Sequence, residues 1–325
     1  MRKITYAEAA VEAIQEEMER DDSIFYMGED VGRFGGAYGT TKSLWEKFGE
    51  DRVRDTPLSE AAIIGYALGA AITGMRPIAE IMFADLLCLA MDQIVNQAAK
   101  MRYMSGGKIK VPLVIRVCLG GLRRAAAQHS QHLESWFVHT PGLKIVAPSS
   151  PYDVKGLLKT AIKEDNPIIC FEHIMLYQSE GEVPEEEYTL PIGKAEVKRE
   201  GKDITIATYS LMVYRCLSVA EKLAEEGIDI EVIDLRSLSP LDLETVVNSV
   251  KKTNKVAIVH QACLTGGLGA EVGMRIVEAA FDYLDSPVKR IGSLDVPVPF
   301  SPPLEDFVVP TEERIAIEIK KMIGK

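Results

Sequence analysis

The side chains that could move protons near neutral pH are few. There are five histidines: His129, His132, His139, His173 and His260. No two of them stand at metal-ligand spacing with an acid, so a hydrolytic metal site is not expected. No GxSxG elbow offers an activated serine. Cys88, Cys118, Cys170, Cys216 and Cys263 contain no CxxC pair. Neither a zinc site nor a disulfide framework is therefore indicated, and buried thiols in a reducing cytoplasm are expected. TGGLGAE, Thr265 to Glu271, lacks the full GxGxxG spacing and reads as a tight strand-to-helix turn. GEDVGRFGGAYGTT, Gly28 to Thr41, is not a P-loop, because no GKS or GKT follows. It reads equally as a flexible turn or as a loop near a cofactor or partner, with Glu29 as its candidate site residue.

One acid stands apart. Glu60 lies in DTPLSEAAIIGYALGAAITG, Asp55 to Gly74, at the mouth of an otherwise apolar, small-residue helix. Ser59 can cap the helix start, and Pro57 blocks earlier turns. Glu60 falls in the first turn, where the helix dipole favours a carboxylate. Gly65, Gly69 and Thr73 follow at intervals of four, so one helix face is nearly bare. Each glycine costs roughly 1 kcal/mol of helix stability against alanine. Close approach of another backbone or a flat ligand is the expected return. On spacing alone, Glu60 remains an ordinary first-turn acid.

The elements that must position these residues alternate. A capped amphipathic helix opens the chain, with Thr5 and Glu8 spaced as a capping box. Ile24–Met27 reads as a strand, the region around Ser43 to Phe48 as a helix and Pro77–Met82 as a strand. Asp85–Met104 reads as one long helix, with Leu86, Leu89, Ile94, Ala98 and Met101 on a broad face. Val111–Val117 is an apolar strand broken only by Arg116. GGLRRAAAQHSQ then leads to a helix near Leu133. Lys144–Ala147, Tyr152–Lys163 and Ile168–Glu172 repeat strand, helix, strand. This alternation predicts a parallel sheet covered on both faces. The acidic, proline-punctuated stretch 176–192 reads as a linker between a first domain, 1–175, and a second, 193–325. The second repeats the pattern, with strands at Ile204–Thr208, Ile230–Leu235, Val256–Val259 and Val288–Ile291. Its helices run over Met212–Glu226, after TGGLGAEV and over Glu312–Ile323. The fold class is α/β, two doubly wound domains. In an open parallel sheet, ligands bind at the carboxyl ends of strands, and His129, in QHSQ, follows such a strand.

The length of 325 residues suits two domains, and a 47% hydrophobic content supplies both cores. A net charge of −11 argues against nucleic acid or an anionic membrane as the main partner. The first residues do not read as a signal peptide. The longest apolar run, Ala61 to Met75, is too short to span a bilayer. A cytoplasmic protein is expected.

Glu60 followed by Gly65, Tyr66 and Gly69 resembles the glutamate-plus-two-glycine motif of thiamine diphosphate enzymes. With DTPLSE before it, the stretch is similar to the beta subunit of the first component of 2-oxo acid and acetoin dehydrogenase complexes, in the transketolase-like family. The likeness runs from ITYAEA near the start to PFSPPLED near the end. It implies a pyrimidine-binding domain followed by a transketolase C-terminal-type domain. It implies that Glu60 hydrogen-bonds the cofactor's pyrimidine ring, favouring the tautomer that can accept the thiazolium proton. It also gives Glu29, Leu58, Met82 and Leu86 as cofactor contacts, and His129 as the histidine that faces cofactor and substrate. Leu86 stands where relatives often carry an aromatic.

Such enzymes hold the diphosphate through magnesium at a GDG…N motif, and this chain has no GDG. The resemblance therefore implies half a site, completed by an alpha chain in an α2β2 tetramer. Leu113, Ala161, Ile162, Glu164 and Asn166 match a potassium loop of some relatives. The implied substrates are acetoin, then pyruvate, then branched-chain 2-oxo acids, with acyl transfer to the lipoyl acyltransferase core. Two departures stand out. Arg123 and Arg124 add charge to a loop usually richer in glycine, and Gln261 replaces a frequent glutamate. The competing expectations are a non-catalytic docking subunit and half of a split transketolase-like enzyme acting on sugars.

Overall fold

Continuous apolar strands set the first sheet. Val114–Leu119 and Ile168–His173 are buried along their whole length, as strands covered on both faces must be. The structure, a computed structural model, describes residues 1–324. Its chain divides into two units, one of Met1–Leu119 with Trp136–Ile192, the other of Gly120–Ser135 with the chain from Gly193 onward.

The first unit opens with β1 (Arg2–Thr5), α1 (Tyr6–Arg20), β2 (Ile24–Gly28), α2 (Lys42–Phe48), β3 (Val53–Asp55), α3 (Glu60–Ile72) and β4 (Arg76–Ile81). It continues through α4 (Ala99–Met104), β5 (Val114–Leu119), all but the first two residues of α5 (Glu134–Val138), β6 (Lys144–Val146), α6 (Pro151–Lys163), β7 (Ile168–His173) and β8 (Glu180–Val183). Strands pair in the order β6-β7-β5-β4-β2-β3, every pair parallel. The expected capping box at Thr5 and Glu8 is present. Helices α1 and α6 pack together across a charged seam, in which the fully buried Lys155 and Lys159 meet Glu12, Glu16 and Glu17. Within the stretch 176–192, β8 pairs antiparallel with β1.

The expected long helix over Asp85–Met104 is not one helix. Ala84–Ala90 is a 3₁₀ helix, Asp92–Ala98 a π-helix, and only α4 is α-helical. Ala84, Leu87 and Ala90 are buried at intervals of three, which a helix of 3.0 residues per turn keeps on one face. The wider turns that follow bury Ile94 and Ala98.

In the second unit the elements are β9 (Glu196–Arg199), β10 (Ile204–Thr208), α7 (Met212–Ala224), β11 (Ile230–Asp234), β12 (Ser237–Ser239) and α8 (Leu243–Thr253). Then come β13 (Val256–Cys263), α9 (Leu268–Ala280), β14 (Lys289–Ser293), α10 (Pro302–Val308) and α11 (Glu312–Met322). Its sheet runs β14-β13-β10-β11-β9, parallel except for β9. Ile206, Val232, Val259 and Ile315 lie in its core. TGGLGAE forms the expected turn between β13 and α9.

Candidate functional site

The start of α3 is fastened to the glycine-rich loop. The Thr56 N–H donates to Gly28 O at 2.9 Å, and the Gly32 N–H donates to Asp55 Oδ1 at 2.6 Å. A Cβ on Gly32 would stand 2.5 Å from that same carboxylate, so the close approach requires glycine. Ser59 occupies the N-cap position of α3, but its hydroxyl makes no cap bond. Its ψ is 81°, whereas the capping residues Thr5, Ser150 and Thr311 have ψ between 160° and 165°. The hydroxyl is turned away from the helix amides.

Glu60 is the first residue of α3 and only 7% exposed. Glu29 is buried as well. Its carboxyl is raised above the ordinary range by desolvation first and then by the charge of Glu60. Glu29 Oε1 and Thr56 Oγ1 are buried with no hydrogen-bond partner among the described residues. A native interior seldom leaves such groups unmet. Two acids and an unmatched hydroxyl at a helix start suit a heterocycle carrying ring nitrogens and an amino group, so the residues fit a pyrimidine. A groove of about 250 Å³ runs alongside, lined in part by Met27, Thr56, Ser59, Ile63 and Tyr66. Leu58 is 82% exposed. Met82 and Leu86 are half-buried, just beyond β4.

Sequence reasoning passed over a buried ion network one strand away. Arg116 on β5, which read only as a break in an apolar run, is 2% exposed. Its Nε and Nη2 donate to the two Glu172 oxygens at 2.6 and 2.7 Å, a bidentate pairing. Its Nη1 donates to the Tyr26 hydroxyl at 2.6 Å, with Glu80 Oε2 at 3.4 Å. Desolvation raises the Glu80 carboxyl, and Arg116 pulls it partly back. The network borders a small cavity shared with Met82, Tyr38 and Cys118. The signal was a charged residue inside each of three apolar strands, with Glu80 level with Arg116 and Glu172 two residues further along.

His129 belongs to the second unit, whereas Glu29, Leu58, Glu60, Met82 and Leu86 belong to the first. His129 is exposed at the end of a loop. His139 is exposed too, and the remaining three histidines are embedded. His132 Nδ1 lies 3.1 Å from Oε1 of the fully buried Glu134. His173 Nδ1 accepts the Met175 N–H. His260 Nδ1 lies 3.1 Å from Ala262 O, and burial pushes its pKa down to about 4.

The loop matched to a potassium site is crowded with cations. Arg76 donates to Ile162 O at 2.9 Å and to Glu164 O at 2.7 Å. Arg102 donates to Asn166 Oδ1 at 2.8 Å. Ala161 O and Leu113 O accept backbone N–H groups. Each of these oxygens already has one donor, which leaves a second lone pair for any ion. Among the described residues no cluster of histidine, cysteine, aspartate and glutamate could hold a metal ion.

Two parallel-sheet units, with buried Glu60 at a helix start and buried Glu29 on the loop after β2, make an α/β subunit with a candidate ligand pocket. Residues 2–179 match the transketolase pyrimidine-binding domain and residues 193–315 the transketolase C-terminal domain. The chain is 48% identical to the acetoin:2,6-dichlorophenolindophenol oxidoreductase subunit beta of Cupriavidus necator, covering 98% of this chain and 97% of that one. It is 48% identical to the pyruvate dehydrogenase E1 component subunit beta of Chaetosphaeridium globosum, covering 99% of each. It is 45% identical to the 2-oxoisovalerate dehydrogenase subunit beta of Bacillus subtilis, again covering 99% of each. A solved split-gene transketolase, described as an inactive beta4 tetramer, shares the fold, with a TM-score of 0.82 at 23% identity over 99% of each chain. The chain belongs to the transketolase-like family of thiamine diphosphate enzymes, among the beta subunits of the 2-oxo acid and acetoin dehydrogenases.

Proposed function

We propose that this chain contributes half of the active site of a dehydrogenase acting on acetoin or pyruvate, with an alpha subunit supplying the other half in an α2β2 tetramer. The observation that carries this reading is the buried pair Glu29 and Glu60, with Glu29 Oε1 and Thr56 Oγ1 unmatched, in a chain that has no GDG motif. The magnesium that would hold a diphosphate is assigned to the alpha chain. When bound, thiamine diphosphate supplies a ring carbon that adds to a carbonyl and an electron sink for the broken carbon–carbon bond. Glu60 hydrogen-bonds a pyrimidine ring nitrogen, and Met82 and Leu86 pack against the ring with Leu58 at the margin. Glu29, whose carboxyl is raised by desolvation first and then by the charge of Glu60, adds a second acid to the pocket. His129 orients the substrate and exchanges a proton as the acyl group passes to a lipoyl arm of the acyltransferase core.

The five free thiols suit a reducing cytoplasm. Among the described residues no helix is long and apolar enough to cross a membrane. Leu113 together with Ala161, Ile162, Glu164 and Asn166 is proposed as a potassium site using second lone pairs. A higher thermal midpoint in potassium chloride than in choline chloride at equal ionic strength is expected, and no difference refutes it. The functional reading is tested by dye reduction with this chain alone and mixed with its candidate alpha chain. Acetoin, pyruvate and a branched 2-oxo acid are offered separately. Activity confined to the mixture is expected. A cofactor-loaded tetramer inactive on all three points to the docking or sugar-acting alternatives.

A further inference from the structure

The loop that presents His129 is bent against its own preferences. Leu122, Arg124 and Ala126 have φ of +73°, +65° and +60°, a left-handed backbone that costs roughly 1–2 kcal/mol for each side-chain-bearing residue. Such a backbone persists only where its surroundings over-determine it. Here the constraint comes from α10, more than 170 residues further along the chain, and its buried member is the Glu305 carboxylate. Glu305 is fully buried. Its Oε1 accepts the Leu122 N–H at 2.6 Å, and its Oε2 accepts Arg124 Nη1 at 2.9 Å. Arg124 also donates to Pro302 O at 3.1 Å and to Asp306 Oδ2 at 3.1 Å. A Cβ on Gly121 would stand 2.9 Å from Glu305 Oε1, so the loop backbone lies directly on the carboxylate. His129 follows after this anchored turn, exposed and short of the buried Ser130.

We propose that Glu305 is a positioning residue for His129: it latches the left-handed turn 122–126 through Leu122 and Arg124 and so fixes where the histidine is presented. The proposal rests on the functional reading of His129. It concerns the loop and α10 of the second unit alone. Arg124 is the half-buried partner of the latch and Glu305 the fully buried one, so the two can be perturbed separately.

The test uses the complete complex with the alpha chain, thiamine diphosphate and magnesium, and the variants Glu305→Ala, Glu305→Gln and Arg124→Gln. The first readout is native-state trypsin cleavage after Arg123, without substrate. The second is kcat and KM in dye reduction. Glu305→Ala is expected to raise cleavage about tenfold, because the opened loop is populated more often. It is expected to lower kcat about a hundredfold, the scale of an ångström-sized misplacement, with KM changed less than about threefold. Glu305→Gln keeps an acceptor for Leu122 and falls between wild type and Glu305→Ala. Arg124→Gln raises cleavage after Arg123 about threefold. Cleavage elsewhere in the chain stays at the wild-type rate, which separates loop opening from unfolding. If Glu305→Ala does not assemble, the other two variants decide. Wild-type cleavage and wild-type kcat in both overturn the latch. A wild-type complex inactive on every substrate removes the functional reading and the role given to His129, while the cleavage rates still report the latch itself.

Discussion

Replacing Arg116 by Met tests whether the buried network beneath the site is held by its one cation. The side chain removed is 2% exposed, and its partner Glu172 is 1% exposed. Two charge-assisted bonds of 2.6 and 2.7 Å and one 2.6 Å bond to Tyr26 are lost together. Breaking a buried pair from one side costs about 3–5 kcal/mol, because the remaining charge is left uncompensated. At about 2–4 °C per kcal/mol for a unit of this size, the thermal midpoint falls by about 6–20 °C. Replacing both partners, in Arg116→Met with Glu172→Leu, removes the stranded charge and recovers most of that loss.

The penalty also depends on pH. The Glu80 carboxyl is already raised by desolvation and is lowered partly by Arg116. Without Arg116 it rises further. A carboxyl raised above its unfolded value contributes stability that is present below that value and lost as pH rises through the folded value. The loss in Arg116→Met is therefore larger at pH 8 than at pH 5. The assay is calorimetric or fluorescence-monitored unfolding of wild type, both single variants and the double variant at the two pH values. A single variant within about 1 °C of wild type, or a double variant as weak as Arg116→Met, refutes the reasoning.

Three further outcomes follow from other parts of the chain. A Cβ on Gly69 would meet nothing within 4 Å, so Gly69→Leu leaves the isolated chain at least as stable, by up to about 1 kcal/mol of helix propensity. If this bare face receives the partner, size-exclusion chromatography shows loss of the tetramer, and full assembly contradicts that use of the face. Burial holds His260 at about 4, below an unfolded value of about 6.5. Its stabilisation is complete above the unfolded value and is lost as pH falls from about 6.5 to about 4. His260→Asn flattens stability over that window, and an unchanged slope in urea-unfolding midpoints removes the assignment. Glu16 resists desolvation through Lys155 and Lys159, which bring its pKa to about 2. Its contribution is present above an unfolded value of about 4.3 and lost as pH falls toward 2, so Glu16→Gln blunts acid unfolding there; an unaltered acid transition argues against it.

Both sheets were legible because their strands are apolar on two faces, as in Ile168–His173 and Ile204–Thr208. The first-turn position of Glu60 was equally plain, since proline and small residues mark that helix start. What stayed hidden depends on long-range contact or on local backbone detail. The apolar pattern over Asp85–Met104 could not separate 3₁₀, π and α turns, which differ by fractions of a residue per turn. Arg116 revealed nothing until Glu80 and Glu172 lay on neighbouring strands. The hold of Glu305 on the loop before His129 joins residues about 180 positions apart, beyond the reach of any local spacing rule. The failed Ser59 cap turned on a single ψ.

The central claim is that Glu60 of this chain does chemistry in a site shared with an alpha subunit. The most direct measurement compares wild type with Glu60→Gln, each mixed with the alpha chain, thiamine diphosphate and magnesium, following dye reduction and tetramer content together. An intact tetramer whose turnover falls by about 10²–10⁴-fold is the predicted result. A Glu60→Gln tetramer working at the wild-type rate contradicts the account.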